Sequence, residues 1–283
     1  GLAAVGVGIT GGPFAALAES WQKLKKPHSP EPFLGTVTNT PFPTYFLWYL
    51  MATMPLGLLL TMVVGVAVRV RMWWRRSGHG QPDVVQRRAG WIMLAWLVVP
   101  LGVMASPVRQ DGVRYVMPCI LAMVTLAAVG ATAIGDYLAA RWQPITRVLP
   151  AVLAAYLFVV CVRIHPYYLD YFGEHVGGPR NVAARHWFET AWWGEGVDRA
   201  VAYVNAHAAP GARVYRDCIE PVHLAWFRGD LWNSMVASPD AADWIVVYSP
   251  SSRRCVIPKT AQLEFQVDAD GAPLADVYHI VRP

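Results

Sequence analysis

Long apolar runs separated by short charged segments are the feature that most constrains the fold of this chain. A helix of about 20 apolar residues spans the ~30 Å hydrocarbon core of a bilayer. The run from Pro41 to Val68 contains no charged residue. We therefore predict a polytopic α-helical membrane protein with about four transmembrane helices. The predicted spans cover residues 43–68, 90–107, 115–135 and 148–163.

The composition agrees with a membrane location. Of the 283 residues, 55% are hydrophobic and 15% are charged, whereas soluble domains contain about 25% charged residues. The 13 Trp and 12 Tyr residues are of the types that gather at membrane–water interfaces. The net charge of +5 does not indicate nucleic-acid binding, because no basic and aromatic recognition motif accompanies it. Most arginines flank apolar runs instead, where they orient helices and contact membrane lipids.

The N-terminal segment predicts an interfacial helix followed by a loop. In residues 13–26, apolar side chains recur at helical spacing and lysines gather at the end, which is typical of an amphipathic helix in the membrane interface. Pro27, Pro30 and Pro32 then predict an irregular loop at His28–Gly35. The chain begins without Met on an uncharged segment that lacks the basic start of a signal peptide. We therefore expect it to be the C-terminal part of a longer protein.

The distribution of arginines predicts the orientation of the helices. Six arginines lie in or beside the loop after the first span, which is the strongest positive-inside signal in the chain. They are Arg69, Arg71, Arg75, Arg76, Arg87 and Arg88. Counting spans from this cytoplasmic loop places residues 108–114 and everything after Arg163 outside the cytoplasm, although lysines near the N-terminus weaken the asymmetry. We thus predict a transmembrane domain at 1–164 and an extracytoplasmic domain at 165–283.

The C-terminal domain is predicted to be a small α/β layer, because helix-like and strand-like segments alternate. Residues 196–207 have one apolar helical face. The predicted strands are 213–216, 243–249, 263–267 and 275–281. An Asp268-Ala-Asp-Gly271 turn joins the last two as a hairpin. A disulfide between Cys218 and Cys255 is left open, since it requires an oxidising compartment.

A charged elbow between the second and third spans is the main candidate site. Arg109, Asp111 and Arg114 lie within six residues, and Tyr115 opens the next apolar run. Charges at a bilayer face are costly unless they are solvated, paired or used. Arg114 at a helix start can bind a phosphate or pyrophosphate as a bidentate donor, and Tyr115 can add a hydroxyl or an aromatic face. The alternative is that the arginines contact phospholipid headgroups, with Asp111 as their partner.

Three further groups of residues offer polar chemistry. His28 and Glu31 lie in the proline-stiffened loop, which is either a holder for a proton donor or sugar contact, or an ordinary exposed loop. Residues 165–179 bring histidines and acidic residues together. A divalent cation is left open there as a cofactor, although the spacing fits no standard ligand pattern and the tyrosines are typical of an interfacial belt. The Trp192-Trp-Gly-Glu-Gly196 segment can stack on a sugar or pack against the membrane face.

The order of these motifs resembles the C-terminal half of GT-C type membrane glycosyltransferases of the protein-mannosyltransferase and aminoarabinose-transferase kind. The similarity runs over nearly the whole chain. It rests on the interfacial helix leading to His28–Gly35, the Met54-Pro55-Leu56 span, the segment Gly112–Pro118, and Tyr171–Gly178 followed by Trp193–Gly196. Such enzymes move a sugar from a polyprenyl-phosphate donor to a protein or glycolipid acceptor on the outer face of the bacterial inner membrane.

The resemblance implies roles for individual residues. Arg114 and Tyr115 would lie near the lipid-phosphate pocket, and His28 would lie in the loop that closes over the active site. The acidic residue of the family's first outer loop has no counterpart here, so the general base is expected upstream and this chain alone should be inactive. Two other functions remain open. One is a non-catalytic membrane-anchored binding or assembly protein, and the other is a transporter, which would need charged or broken helices at mid-membrane.

Overall fold

The computed structural model describes residues 30–39, 42–74, 84–105, 112–191, 193–217, 226–249 and 256–281. The helices are α1 (Tyr45–Thr53), α2 (Leu56–Trp74), α3 (Val84–Met104), α4 (Met117–Ala139), α5 (Ile145–Ile164), α6 (Gly178–Ala184), α7 (Val197–His207) and α8 (Gly229–Asn233). The strands are β1 (Glu31–Phe33), β2 (Thr36–Thr38), β3 (Val214–Asp217), β4 (Trp244–Tyr248), β5 (Ala261–Ala269) and β6 (Ala272–Ile280). A 3-10 turn, Gly112–Val116, leads directly into α4.

Two helices of the described chain are long and apolar enough to cross a membrane, and a bent pair would make a third. The two are the continuous helix from Gly112 to Ala139, which includes α4, and α5. The helices α1 and α2 pass the same test only as a pair, and the apolar part of α3, Arg88–Met104, is shorter. The described residues thus contain two or three potential membrane spans, while the number four remains a prediction.

The first predicted span, residues 43–68, is wrong as a single helix, because α1 and α2 meet at a bend of 117°. Proline is the physical reason for the break. The residue before a proline is pushed out of the helical region, and Met54 has extended angles of φ −94° and ψ 138°. Pro55 itself has no N–H group to continue the hydrogen-bond ladder. The continuous helix α2 therefore starts at Leu56.

A segment beyond α5 binds the backbone groups left at this break. The Gly173 N–H group donates to the Ala52 carbonyl oxygen at 2.7 Å. The Leu56 N–H group, at the start of α2, donates to the Glu174 carboxylate at 3.1 Å. Because these bonds satisfy backbone groups that a broken helix exposes, the bend is stabilised by the protein itself.

The helices α2 and α4 approach so closely that glycine is required at their contact. A Cβ atom on Gly65 would lie 1.9 Å from the Leu126 carbonyl oxygen. A Cβ atom on Gly130 would lie 1.8 Å from the Thr61 carbonyl oxygen. Both obstacles are backbone atoms, so no side-chain rotation can relieve the overlap. Small residues allow this type of backbone contact between helices in membranes.

The prediction of an irregular loop at 28–35 is wrong for its described part, which forms a β1–β2 hairpin. The turn residues Leu34 and Gly35 both have positive φ, at 50° and 87°, as a two-residue hairpin turn requires. Pro32 is tolerated because it pairs with Val37, a position that exchanges no ladder hydrogen bonds when the pair Phe33 and Thr36 closes the turn. The prolines therefore stiffen a hairpin rather than prevent one.

The C-terminal residues form a four-stranded sheet in the order β3-β4-β6-β5. Strands β3 and β4 are parallel, and the other neighbours are antiparallel. The predicted helix 196–207 and the four predicted strands are confirmed within a few residues, and the last hairpin is longer than predicted. The apolar face of α7 packs on the sheet through Val197, Ala200, Val201 and Val204, all fully buried.

The residues between α5 and α7 join the helices to the sheet. The rings of Phe172 and Phe188 stack at 5.8 Å, and Phe188 also meets Tyr49 of α1 at 4.5 Å. Both phenylalanines therefore belong to the hydrophobic core of the helical part. On another side, Arg163 at the end of α5 forms an ion pair of 2.7 Å with Asp270 in the β5–β6 turn.

Candidate functional site at the junction of helices and sheet

Arg114 is half-buried and lies against two aromatic rings. The centre of its guanidinium group is 4.8 Å from the Tyr115 ring centroid and 4.7 Å from the Trp193 ring centroid. It also donates a hydrogen bond of 3.0 Å to the Tyr115 hydroxyl. Aromatic faces attract cations, and stacking covers the faces of a guanidinium, whereas anions bind to its edges. The structure therefore places a cation in contact with two aromatic rings at the N-terminal end of the apolar helix that contains α4.

The loop that carries Trp193 is fixed by the last residue of β4. The Gly194 N–H group donates to the Tyr248 hydroxyl at 2.5 Å, and this hydroxyl donates to Glu195 at 3.1 Å. The Glu195 carboxylate also accepts the Trp193 N–H at 2.6 Å. Tyr248 ends a strand whose neighbour β3 is parallel to it, and ligands of open α/β sheets bind beyond the carboxyl ends of such strands. This edge of the sheet faces Arg114.

Glu31 is a buried carboxyl group close to the elbow. Its residue is only 3% exposed, and its carboxylate oxygens form no close hydrogen bond with the described residues, although the Tyr45 hydroxyl is within weak hydrogen-bonding reach. Burial raises the pKa of Glu31 to about 8; the Tyr45 hydroxyl lies close enough to oppose this shift, and the charge of Glu189 adds to it. At neutral pH this carboxyl group is therefore mostly protonated.

Tyr45 and Tyr49 of α1 connect the hairpin to the elbow. The Tyr45 hydroxyl accepts a hydrogen bond of 3.2 Å from the Gly112 N–H, at the start of the turn that carries Arg114. Its ring lies 5.1 Å from Phe33 of the hairpin. The Tyr49 hydroxyl donates to the Glu189 carbonyl oxygen at 3.0 Å. These contacts bring segments that are far apart in sequence into one polar and aromatic cluster.

Two more acidic residues lie on the sheet side of the junction. Asp170 is fully buried and accepts the Ala191 N–H at 2.6 Å through one oxygen, while the other oxygen has no partner among the described residues. Burial raises the pKa of Asp170 to about 7; the Ala191 N–H opposes the shift, and nearby Glu195 and Glu189 add to it. The Ser249 hydroxyl, next to the end of β4, lies 2.5 Å from the Glu189 carboxylate. The junction thus holds buried acidic groups as well as the Arg114 cation.

The residues proposed for a cation do not form a metal site. His175 donates through Nε2 to the Met51 carbonyl oxygen at 2.8 Å, and His165 Nδ1 lies 2.8 Å from the Tyr168 hydroxyl. Across the described ranges, no group of three or more His, Cys, Asp or Glu side chains is placed to hold a metal ion. Residues 165–179 instead connect the helix break to the sheet.

The structure tests only part of the predicted site. Arg114, Tyr115 and Glu31 are described, and Tyr45 lies beside Glu31 and accepts the N–H of Gly112, two residues before Arg114. His28, Arg109 and Asp111 lie outside the described residues, as do the interfacial helix 13–26 and Cys218 with Cys255.

No family model matches the chain, and neither the curated proteins nor the solved structures include a significant match. The resemblance of the motifs to GT-C glycosyltransferases therefore remains a prediction.

Sequence reasoning missed the contact between Arg114 and Trp193, although it singled out both segments. It also missed the roles of Tyr45, inside the first predicted span, and Tyr248, inside the predicted strand 243–249. A tyrosine inside an apolar element usually needs a hydrogen-bond partner for its hydroxyl. That requirement was the available signal that these two residues organise polar groups.

Proposed function

We propose that this chain is the C-terminal part of a polytopic glycosyltransferase of the bacterial inner membrane. It has four membrane spans and a C-terminal domain outside the cytoplasm, and it moves a sugar from a polyprenyl-phosphate donor to a protein or glycolipid acceptor. The observation that carries the proposal is the half-buried Arg114 guanidinium, in contact with the Tyr115 and Trp193 rings at the end of an apolar helix. A polyprenyl phosphate needs this combination, because its anion lies at the interface and its tail in the bilayer.

In the proposed reaction, Arg114 stabilises the leaving phosphate. The acceptor hydroxyl attacks the anomeric carbon of the sugar, and the bond between that carbon and the phosphate oxygen breaks. The electron pair leaves with the phosphate, whose negative charge Arg114 stabilises. The hydroxyl proton passes to a carboxylate base, which belongs to the region upstream of residue 1 in this proposal. Losing one such charged contact costs ~3 kcal/mol, which is about a hundredfold in rate.

The helix break at Pro55 favours this proposal over a transporter. Transporters use unwound backbone in mid-membrane to bind their substrates or ions. Here the groups at the break are occupied by Gly173 and Glu174, which lie beyond the last apolar helix. The break is therefore part of the junction between the helices and the sheet and does not form a translocation path.

The test is sugar transfer by the full-length protein in isolated membranes. Arg114→Ala should lower transfer about a hundredfold, and Arg114→Lys should restore only part of it, because lysine lacks the planar guanidinium. Arg199→Ala is the matched control, since Arg199 also lies over a tyrosine ring, that of Tyr167, at 5.5 Å. Unchanged transfer in Arg114→Ala would support a non-catalytic binding or assembly protein instead.

A further inference from the structure

Trp193 is held against Arg114 by its backbone rather than by burial of its ring. The indole belongs to a residue that is 62% exposed, so apolar packing alone does not fix its position. It nevertheless lies 4.7 Å from the guanidinium centre of a residue in a distant segment of the chain. A stacking distance of this kind requires that the loop be placed accurately.

Three hydrogen bonds close a small network around this loop. Glu195 accepts the Trp193 N–H at 2.6 Å, Tyr248 accepts the Gly194 N–H at 2.5 Å, and Tyr248 donates to Glu195 at 3.1 Å. Gly194 has φ 93°, a conformation that side chains rarely adopt. Tyr248 belongs to a central strand of the sheet, so the network ties the loop to the most rigid element available.

We infer that Glu195 and Tyr248 are positioning residues that hold Trp193 on Arg114 and thereby orient the guanidinium for the phosphate of a polyprenyl phosphate. This inference rests on the proposed function, and it makes the C-terminal sheet part of the donor site. A guanidinium that already contacts the Tyr115 and Trp193 rings loses less rotational freedom when it binds an anion. Removing one ring leaves the charge but not its orientation.

The experiment measures binding of undecaprenyl phosphate to the full-length protein in nanodiscs, with undecaprenol as the neutral reference. Trp193→Ala should weaken binding of the phosphate about tenfold and leave binding of the alcohol unchanged, while Trp193→Phe keeps most of the affinity. Glu195→Ala should have a similar effect although it removes no positive charge. Tyr248→Phe removes only the hydroxyl and should act in the same direction. Arg199→Ala should bind both lipids normally.

A double substitution separates positioning from direct contact. If Glu195 acts through Trp193, the double variant Trp193→Ala/Glu195→Ala binds the phosphate no more weakly than Trp193→Ala alone. Additive losses, or normal binding by both Glu195→Ala and Tyr248→Phe, would overturn the inference. Thermal unfolding of each variant identifies those that have lost their fold. If Glu195→Ala is one of them, the binding measured for Tyr248→Phe decides the test instead.

The same measurements distinguish this inference from the proposed function. If Arg114→Ala loses the preference for phosphate over alcohol while the Trp193 and Glu195 variants keep it, the proposed function stands and the positioning role is rejected. If Arg114→Ala keeps the preference, both are rejected.

Discussion

The junction and the C-terminal sheet each contain a buried carboxyl group, Glu31 and Asp276 respectively, and the two groups differ in their hydrogen bonding. Asp276 in β6 is 5% exposed and accepts hydrogen bonds from Gln266 at 2.8 Å and Tyr278 at 3.1 Å. Glu31 at the junction is equally buried but forms no close hydrogen bond with the described residues, and the Tyr45 hydroxyl is only within weak hydrogen-bonding reach. Buried polar groups in a structural role are normally satisfied. The difference indicates that the Asp276 site supports the stability of the sheet, whereas the Glu31 site keeps a polar group in a costly state that function can use.

The helix pair α2–α4 and the C-terminal sheet also differ in how closely their backbones approach other atoms. Backbones meet directly at Gly65 and Gly130 between α2 and α4, whereas the glycine of the β5–β6 turn, Gly271, approaches only the flexible side chain of Arg180. Identical substitutions should therefore have unequal effects in the two regions.

The largest effect is expected from Gly130→Ala. Its Cβ would lie 1.8 Å from a backbone oxygen, so α2 and α4 must separate, at a cost above about 3 kcal/mol. Gly102→Ala is the control, because a Cβ there meets nothing within 4 Å. Thermal unfolding in detergent measures both variants. Equal stability of the two would contradict the close helix contact.

The second prediction concerns the pH dependence of Glu31. Its folded pKa of about 8 lies above its usual value of 4.5, so ionisation favours the unfolded chain. The contribution of Glu31 to stability should be largest below pH 4.5 and should fall by up to about 1.4 kcal/mol per pH unit until about pH 8. Glu31→Gln cannot ionise, so its stability should lack this component of the decline. Parallel stability curves for the two proteins over that window would show that Glu31 ionises normally.

In the sheet, substitution of the buried Asp276 should lower stability, because its carboxylate is hydrogen-bonded. Asp276→Ala leaves Gln266 and Tyr278 without their acceptor and should lower the free energy of unfolding by about 1–3 kcal/mol. Asp276→Asn keeps an acceptor oxygen and should lose less. Urea or thermal unfolding checks the order, and a stabilising effect of Asp276→Ala would remove the contrast with Glu31.

The smallest effect is expected where the two regions meet at the surface. The Arg163 and Asp270 side chains are 60% and 31% exposed, so their ion pair should contribute less than about 1 kcal/mol. Arg163→Ala should therefore shift the unfolding midpoint only slightly, and less in high salt. A loss as large as that of Gly130→Ala would mean that this contact holds the sheet to the helices.

The sequence predicted the regular elements of the sheet well, because their signals are local. The residues that form the apolar face of α7 lie within a few positions of one another in the sequence, and so do the residues of the turn at Asp270-Gly271. The hairpin at 31–38 was missed because the three prolines at 27, 30 and 32 were given more weight than the turn, although Pro32 occupies the position where a missing N–H costs nothing. The break at Pro55 was visible in the sequence, but the lack of charge was given more weight.

The candidate site was only half predictable, because its residues meet through tertiary contacts. The charge and position of Arg114 at the end of an apolar run marked it as a candidate. Its neighbour Trp193 follows from the placement of β4, which no local pattern encodes. The burial of Glu31 similarly depends on α1 and on the segment around Glu189.

The most direct test of the central claim is to locate the lipid phosphate on the protein. A polyprenyl phosphate with a photoreactive group in its first isoprene unit can be crosslinked to the full-length protein in nanodiscs, and the labelled peptides identified by mass spectrometry. We expect labelling between Gly112 and Met123 or around Trp193, abolished by excess undecaprenyl phosphate but not by undecaprenol. Labelling spread over the outer faces of the helices, or competed equally by the neutral alcohol, would contradict a phosphate site at Arg114.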